Sequence, residues 1–220
     1  MLPDTHLIVG DIQDRNFLGE LPPDLVGKCD KIFSNATLHW CSRDPLAVLI
    51  NVHHLLKGGG LFVAEMVGHG NIAGMTPSLD IPEATAAEYT HYGLGVRDAL
   101  HTALRKRGID PMARDPWFYP TPDQYTELLR LANLIPLQVS LHPRATPFAD
   151  LAGWIRLFGG QFLDGIELED APELVNEVVV SCRESGACHW DEEKKLWYLD
   201  YVRLRILAVK AQDHDDRKQG

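Results

Sequence analysis

Asp30-Lys31-Ile32-Phe33-Ser34-Asn35-Ala36, followed by the run from Asp44-Pro45-Leu46 to Leu61-Phe62-Val63-Ala64-Glu65-Met66, decides the architecture. Lys31-Ile32-Phe33-Ser34 reads as a strand that ends at Asn35-Ala36. Asp44 suits an N-cap and Pro45 the first helical position, where its missing N–H costs nothing. Leu46, Leu49, Ile50, His53 and Leu56 then recur at helical spacing. Lys57 and Gly58 are expected to close the helix, the lysine at the negative end of the dipole and the glycine as a left-handed cap. Leu61-Phe62-Val63-Ala64-Glu65-Met66 is almost wholly apolar and fits a strand covered on both faces of a parallel sheet. Strand, helix and strand with short connections make a βαβ unit, so the expected class is α/β and mostly parallel.

Working outward, Thr5-His6-Leu7-Ile8-Val9 reads as an earlier strand, ended by Gly10-Asp11. Residues 68–120 hold many Gly and Pro residues and one interrupted helical pattern over 83–107, which reads as a helical lid insertion. Thr121-Pro122 starts another helix, and residues 137–141 alternate like a strand. Thr146-Pro147 is expected to cap a third helix carrying Leu151, Trp154, Ile155 and Phe158. A fourth helix spans 171–185, and a strand follows over 201–210.

The chain has 220 residues, 45% hydrophobic and 24% charged, with net charge −10. One domain over 1–220 is expected, with 68–120 inserted in it. The acidic balance argues against a nucleic-acid partner and against anionic lipid. No apolar run approaches the length that spans a bilayer, and no N-terminal leader pattern is seen. The cysteines Cys29, Cys41, Cys182 and Cys188 show no CxxC pair and fit reduced thiols in a cytoplasmic protein. No metal site is expected. Adjacent His53 and His54 point about 100° apart on a helix, and Cys182, Cys188 and His189 lack further ligands at zinc-like spacing. Gly68-His69-Gly70-Asn71-Ile72-Ala73-Gly74 imitates a dinucleotide fingerprint, but Pro77 and Pro82 follow where a helix should run.

In open α/β sheets ligands bind beyond the carboxyl ends of the strands. Those ends deliver Asp11 and Ile12, then Asn35, Ala36, His39 and Trp40, then Glu65. A carboxylate, an amide, an imidazole and an indole together suit a heterocycle with polar edges.

The same residues carry a family resemblance. The stretch from Asp30 to Trp40 resembles the fourth-strand motif of class I S-adenosylmethionine-dependent methyltransferases. Leu55-Leu56-Lys57-Gly58-Gly59-Gly60-Leu61 resembles their turn into the fifth strand, and Gly10-Asp11-Ile12 the acidic step after the third. Trp154-Ile155-Arg156-Leu157-Phe158 and Asp200-Tyr201-Val202-Arg203-Leu204-Arg205 resemble late motifs of the trans-aconitate methyltransferase-like small-molecule branch. The resemblance implies a Rossmann-like methyltransferase sheet, truncated so that the first two strands and their GxGxG loop are missing, with S-adenosyl-L-methionine as cofactor. It implies that Asp11 meets the adenine amino group and Ile12 the adenine ring. It sets Asn35 and Ala36 against the methionine portion, and His39 and Trp40 at the transfer chamber, with His39 as catalytic base for a hydroxyl acceptor. Trp117, Tyr119, Trp154 and Arg156 are candidates for the substrate wall. The implied activity is methyl transfer to a carboxylate or hydroxyl oxygen of a small molecule. The alternative is an inactive, truncated methyltransferase-like protein that works through its exposed sheet edge, including self-association, or a gene-model fragment.

Overall fold

The computed structural model describes residue 5, residues 7–73 and residues 95–212. The first part of the 83–107 helical pattern, Gly74, Pro77 and Pro82 lie outside the described residues. The chain divides into two compact units. The first comprises residues 1–66, 120–140 and 204–220, and the second residues 67–119 and 141–203.

The first unit is built on β1 (Cys29–Asn35), α1 (Pro45–Leu55) and β2 (Leu56–Val67). β1 and β2 are parallel, with Lys31 opposite Leu61 and Asn35 opposite Glu65, as the βαβ reading expected. The Asp44 carboxylate accepts the Ala47 N–H at 2.9 Å, so the cap forms as read. The buried stripe of α1 is turned from the expected one. Ala47, Val48, Leu49, Asn51 and Val52 are buried, while Leu46 and Ile50 are only half-buried. The helix has no glycine cap at Gly58, because the chain passes directly into β2 at Leu56. The left-handed residue is Gly59, at φ 75°. Gly60 is needed for close approach: a Cβ there would lie 2.9 Å from the Lys57 carbonyl oxygen and 3.0 Å from that of Cys29.

Strand order is β1-β2-β5-β3, where β3 is Leu134–Phe148 and β5 is Leu196–Lys210. β4 (Cys188–Asp191) pairs antiparallel with β5, so the sheet is mixed. Helix α3 (Pro122–Leu131) starts at Thr121 with a full capping box through Gln124.

Two further expectations fail for physical reasons. Residues 5 and 7–10 form no strand, and Leu7 and Val9 are 94% and 98% exposed. An apolar run becomes a strand only where a neighbour accepts its ladder, and no described strand pairs with it. Thr146-Pro147 does not start a helix. β3 runs on to Phe148, and Thr146 donates its hydroxyl to the Arg144 carbonyl. β3 ends the strand order, and an edge tolerates prolines. Helix α4 (Leu151–Phe158) is capped instead by Asp150, whose carboxylate accepts from the Ala152 and Gly153 N–H groups.

The second unit packs α2 (Val96–Lys106), α4 and α5 (Ala171–Ser185) around Leu100, Leu104, Ile155, Phe162, Leu174 and Val178, all fully buried. Helix α5 keeps its expected bounds and ends at left-handed Gly186.

Candidate functional site

In the first unit, Asp11 opens a tight turn. Its carboxylate accepts the Gln13 N–H at 2.9 Å and the Arg43 guanidinium at 2.6 Å. These contacts, the backbone one first, hold the Asp11 carboxyl below the usual range. The buried Asn51 side chain donates to the carbonyls of Ile12 at 2.9 Å and Asp14 at 2.8 Å. Gln13 accepts the Arg43 N–H, and Arg15 pairs with Asp44. Helix α1 and its cap thus fix the turn that presents Asp11 and half-buried Ile12. Cys41 is close enough that the Asp11 charge adds to burial in pushing its thiol up.

At the end of β1, Ala36 takes a left-handed backbone at φ 53° and donates its N–H to the Glu65 carbonyl at 2.8 Å. A non-glycine residue in this region carries strain that the surroundings must hold. Asn35 and Ala36 are exposed. His39 and Trp40 follow in a short 3-10 turn, their rings 5.2 Å apart; His39 is buried and Trp40 is 36% exposed. Asn51 and Arg43 were missed from sequence. Asn51 left one legible trace, an amide one turn beyond Ala47 and Val48 in an apolar helix.

In the second unit, Trp117 stacks on Tyr119 at 5.5 Å and meets Trp154 at 6.1 Å. The Trp154 indole donates to the Tyr201 hydroxyl at 2.6 Å. Three of the four substrate-wall candidates are therefore neighbours. Arg156 is exposed on α4 and shares none of these contacts. Burial raises the Tyr119 phenol well above its ordinary value, and Asn71 hydrogen-bonds to it.

Tyr119 also lines a cavity of about 360 Å³, with His69, Asn71, Arg97, Asp98 and His101 among the other lining residues. Behind it, Arg97 Nε donates to Asp115 at 2.6 Å, and Arg97 Nη2 to the Trp117 carbonyl at 3.0 Å. His101 Nε2 lies 2.8 Å from the same Asp115 oxygen, and the other oxygen accepts the Trp117 N–H at 3.0 Å. The Asp115 side chain is only 2% exposed. This cluster was not legible in sequence, because Asp115 lies 18 residues from Arg97 and 14 from His101. Among the described residues, no group of three or more His, Cys, Asp or Glu could hold a metal ion. Nor is any described helix long and apolar enough to cross a membrane.

No family model matches the chain. It is 29% identical over 185 residues to an uncharacterized methyltransferase of Schizosaccharomyces pombe, a match covering 82% of this chain and 62% of that protein. The chain therefore spans less than two thirds of that relative's length. Solved structures similar to it include loganic acid methyltransferase with SAH, at TM-score 0.49 and 12% identity, covering 86% of this chain and 64% of that one. Another is the YcgJ protein of Bacillus subtilis, at TM-score 0.43 and 11% identity, covering 88% and 68%. The sequence relative agrees with the methyltransferase resemblance of the Asp30 to Trp40 stretch.

Proposed function

We propose that this chain takes part in S-adenosylmethionine-dependent methyl transfer to an oxygen of a small molecule. The observation that supports the reading best is the turn at residues 11–14. Its two carbonyls are fixed by buried Asn51, and it presents a carboxylate beside an apolar side chain. Each Asp11 oxygen has one protein partner and keeps a lone pair for an amine donor, as the adenine role requires. Ile12 supplies an apolar face for the ring. Exposed Asn35 and left-handed Ala36 offer polar backbone and side-chain groups to the methionine portion.

The cofactor, when bound, supplies a methyl group on a positively charged sulfur. The acceptor oxygen would take the methyl carbon, and the sulfur would keep the electron pair of the broken carbon–sulfur bond. The chain's part is to align donor and acceptor, which is worth several orders of magnitude in rate. A carboxylate acceptor is already ionised and needs no base. For a hydroxyl acceptor, His39 takes the proton. The trans-aconitate-like branch, one domain over 1–220 with 68–120 as a lid, and a cytoplasmic setting belong to the same proposal.

A second reading has its own support. β1 ends the strand order, and Phe33 on it is 73% exposed, so an inactive chain that pairs this edge with a second copy fits as well.

Calorimetric titration of the 220-residue chain with S-adenosylmethionine tests the first reading. Binding is expected, weakened about tenfold by Asp11→Ala with circular dichroism unchanged. A folded chain that shows no binding, yet sediments as a dimer, would overturn the first reading in favour of the second.

A further inference from the structure

We infer that the open face of the sheet in the first unit docks the same face of a second copy of this chain, with Glu65 of each copy meeting the partner's Arg205. Side chains alternate across a sheet, and here the two faces are unlike. Phe62, Met66, Leu204 and Ile206 share one face and are buried. On the other, Phe33 is 73% exposed and Val63 37%. The parallel register sets Phe33 beside Val63 and Asn35 beside Glu65. Arg205 on β5, the next strand, donates from Nε to Glu65 at 2.8 Å. A groove of about 620 Å³ lies on this face, with Phe33, Val63, Glu65, Gln138 and Arg205 on its lining.

Two features make the face its own complement, as a two-fold contact requires. The first is shape. An aromatic ring stands in solvent beside a groove, so a two-fold axis can lay each copy's ring in the other's groove. The second is charge. The Glu65 and Arg205 side chains are 24% and 53% exposed, so both still reach solvent. Among the described residues only Nε of Arg205 is bonded, which leaves both Nη groups for a second carboxylate. One acid and one base side by side exchange places under a two-fold rotation. Each carboxylate then faces a guanidinium, and no like charges meet.

Net charge favours this face over others. The chain carries −10, so two copies repel in most orientations. Lys31 is exposed on the same side as Phe33, and with Glu65 and Arg205 it gives the patch a slight positive balance. Strands spaced about 4.8 Å apart make β1, β2 and β5 a narrow patch, so the contact is small and the dissociation constant should be on the order of 10–100 µM.

The test is sedimentation equilibrium of the full chain and its variants, each checked for folding by circular dichroism. The unaltered chain is expected to dimerise. Glu65→Arg alone and Arg205→Glu alone should each weaken the dimer about tenfold or more, because like charges then face each other. Mixing these two variants should restore a dimer, since each carries the charges the other lacks, and so should both substitutions on one chain. An unaltered chain still monomeric at about 500 µM overturns the inference. So does a dimer indifferent to both single reversals, the result expected of pairing through the backbone edge of β1. If a charge variant fails to fold, Phe33→Ser at its exposed position decides, and undiminished dimerisation rejects the face. S-adenosylmethionine is absent throughout, so a missing dimer leaves methyl transfer untouched, and missing cofactor binding leaves the dimer.

Discussion

Asp11 meets Arg43 in the open, whereas Asp115 meets Arg97 with 2% of its side chain exposed. The first unit carries its polar groups on a turn in solvent and leaves Phe33 73% exposed on its sheet. The second buries Phe162 completely and stitches its carboxylate to three donors. One sequence thus uses the same residue types in two ways. Where water solvates an ion pair, the pair steers a surface turn and adds little stability. Where water is excluded, every donor and acceptor must be matched, and loss of one partner is expensive.

The contrast is broken most severely at the aromatic rings. Phe162→Ala should cost about 3–5 kcal/mol in urea unfolding, and Phe33→Ala less than about 0.5 kcal/mol. Similar losses at both positions would erase the distinction. Next comes Asp115→Asn, expected to cost about 3 kcal/mol because Arg97 loses its buried countercharge and one of the two oxygens that accept from Arg97, His101 and the Trp117 N–H becomes a donor. A change below about 1 kcal/mol would show that water reaches the cluster. The cap of α1 is a smaller effect. Asp44→Ala should cost about 1 kcal/mol and loosen the residues 11–14 turn, seen as faster amide exchange there.

The smallest effect is at Glu177 on α5, which pairs with Lys106 and Arg107 of α2. Those two hydrogen bonds hold its carboxyl below the ordinary value. A lowered folded pKa stabilises above the unfolded value, and the gain vanishes as pH falls through the folded value. Glu177→Gln should therefore lower the unfolding free energy from urea titration at pH 7, by less than about 1 kcal/mol. That difference should close as the pH is lowered below the ordinary carboxylate range, and a gap that persists in acid would rule out the ion pairs as its source.

Much of the fold was legible where the signal is local. Asp44-Pro45 and Thr121-Pro122 mark helix starts through bonds within four residues, and both mark real starts. Thr146-Pro147 has the same letters and fails, because Asp150 offers two backbone bonds and the strand edge accepts proline. Residues 5 and 7–9 have strand composition, but among the described residues no strand pairs with them. Among the candidate residues, Asp11, Ile12, Asn35 and Ala36 are named from their place after strand-like runs, and Trp117, Tyr119 and Trp154 as aromatics. Arg43, Asn51, Arg97, His101 and Asp115 were not, since nothing in a helix sequence says which distant carbonyl or carboxylate it will meet.

The sequence by itself determined the βαβ step from β1 to β2, the helix starts at Asp44 and Thr121 and the acidic balance, because periodicity, capping and net charge act over a few residues or over the whole composition. Only the tertiary structure decided which face of α1 is buried. It alone decided that Asn51 secures the turn at Asp11, and that Arg97, His101 and Tyr119 share one cavity. Those outcomes depend on desolvation and on long-range pairing of donors with acceptors, which arise only once distant segments have packed.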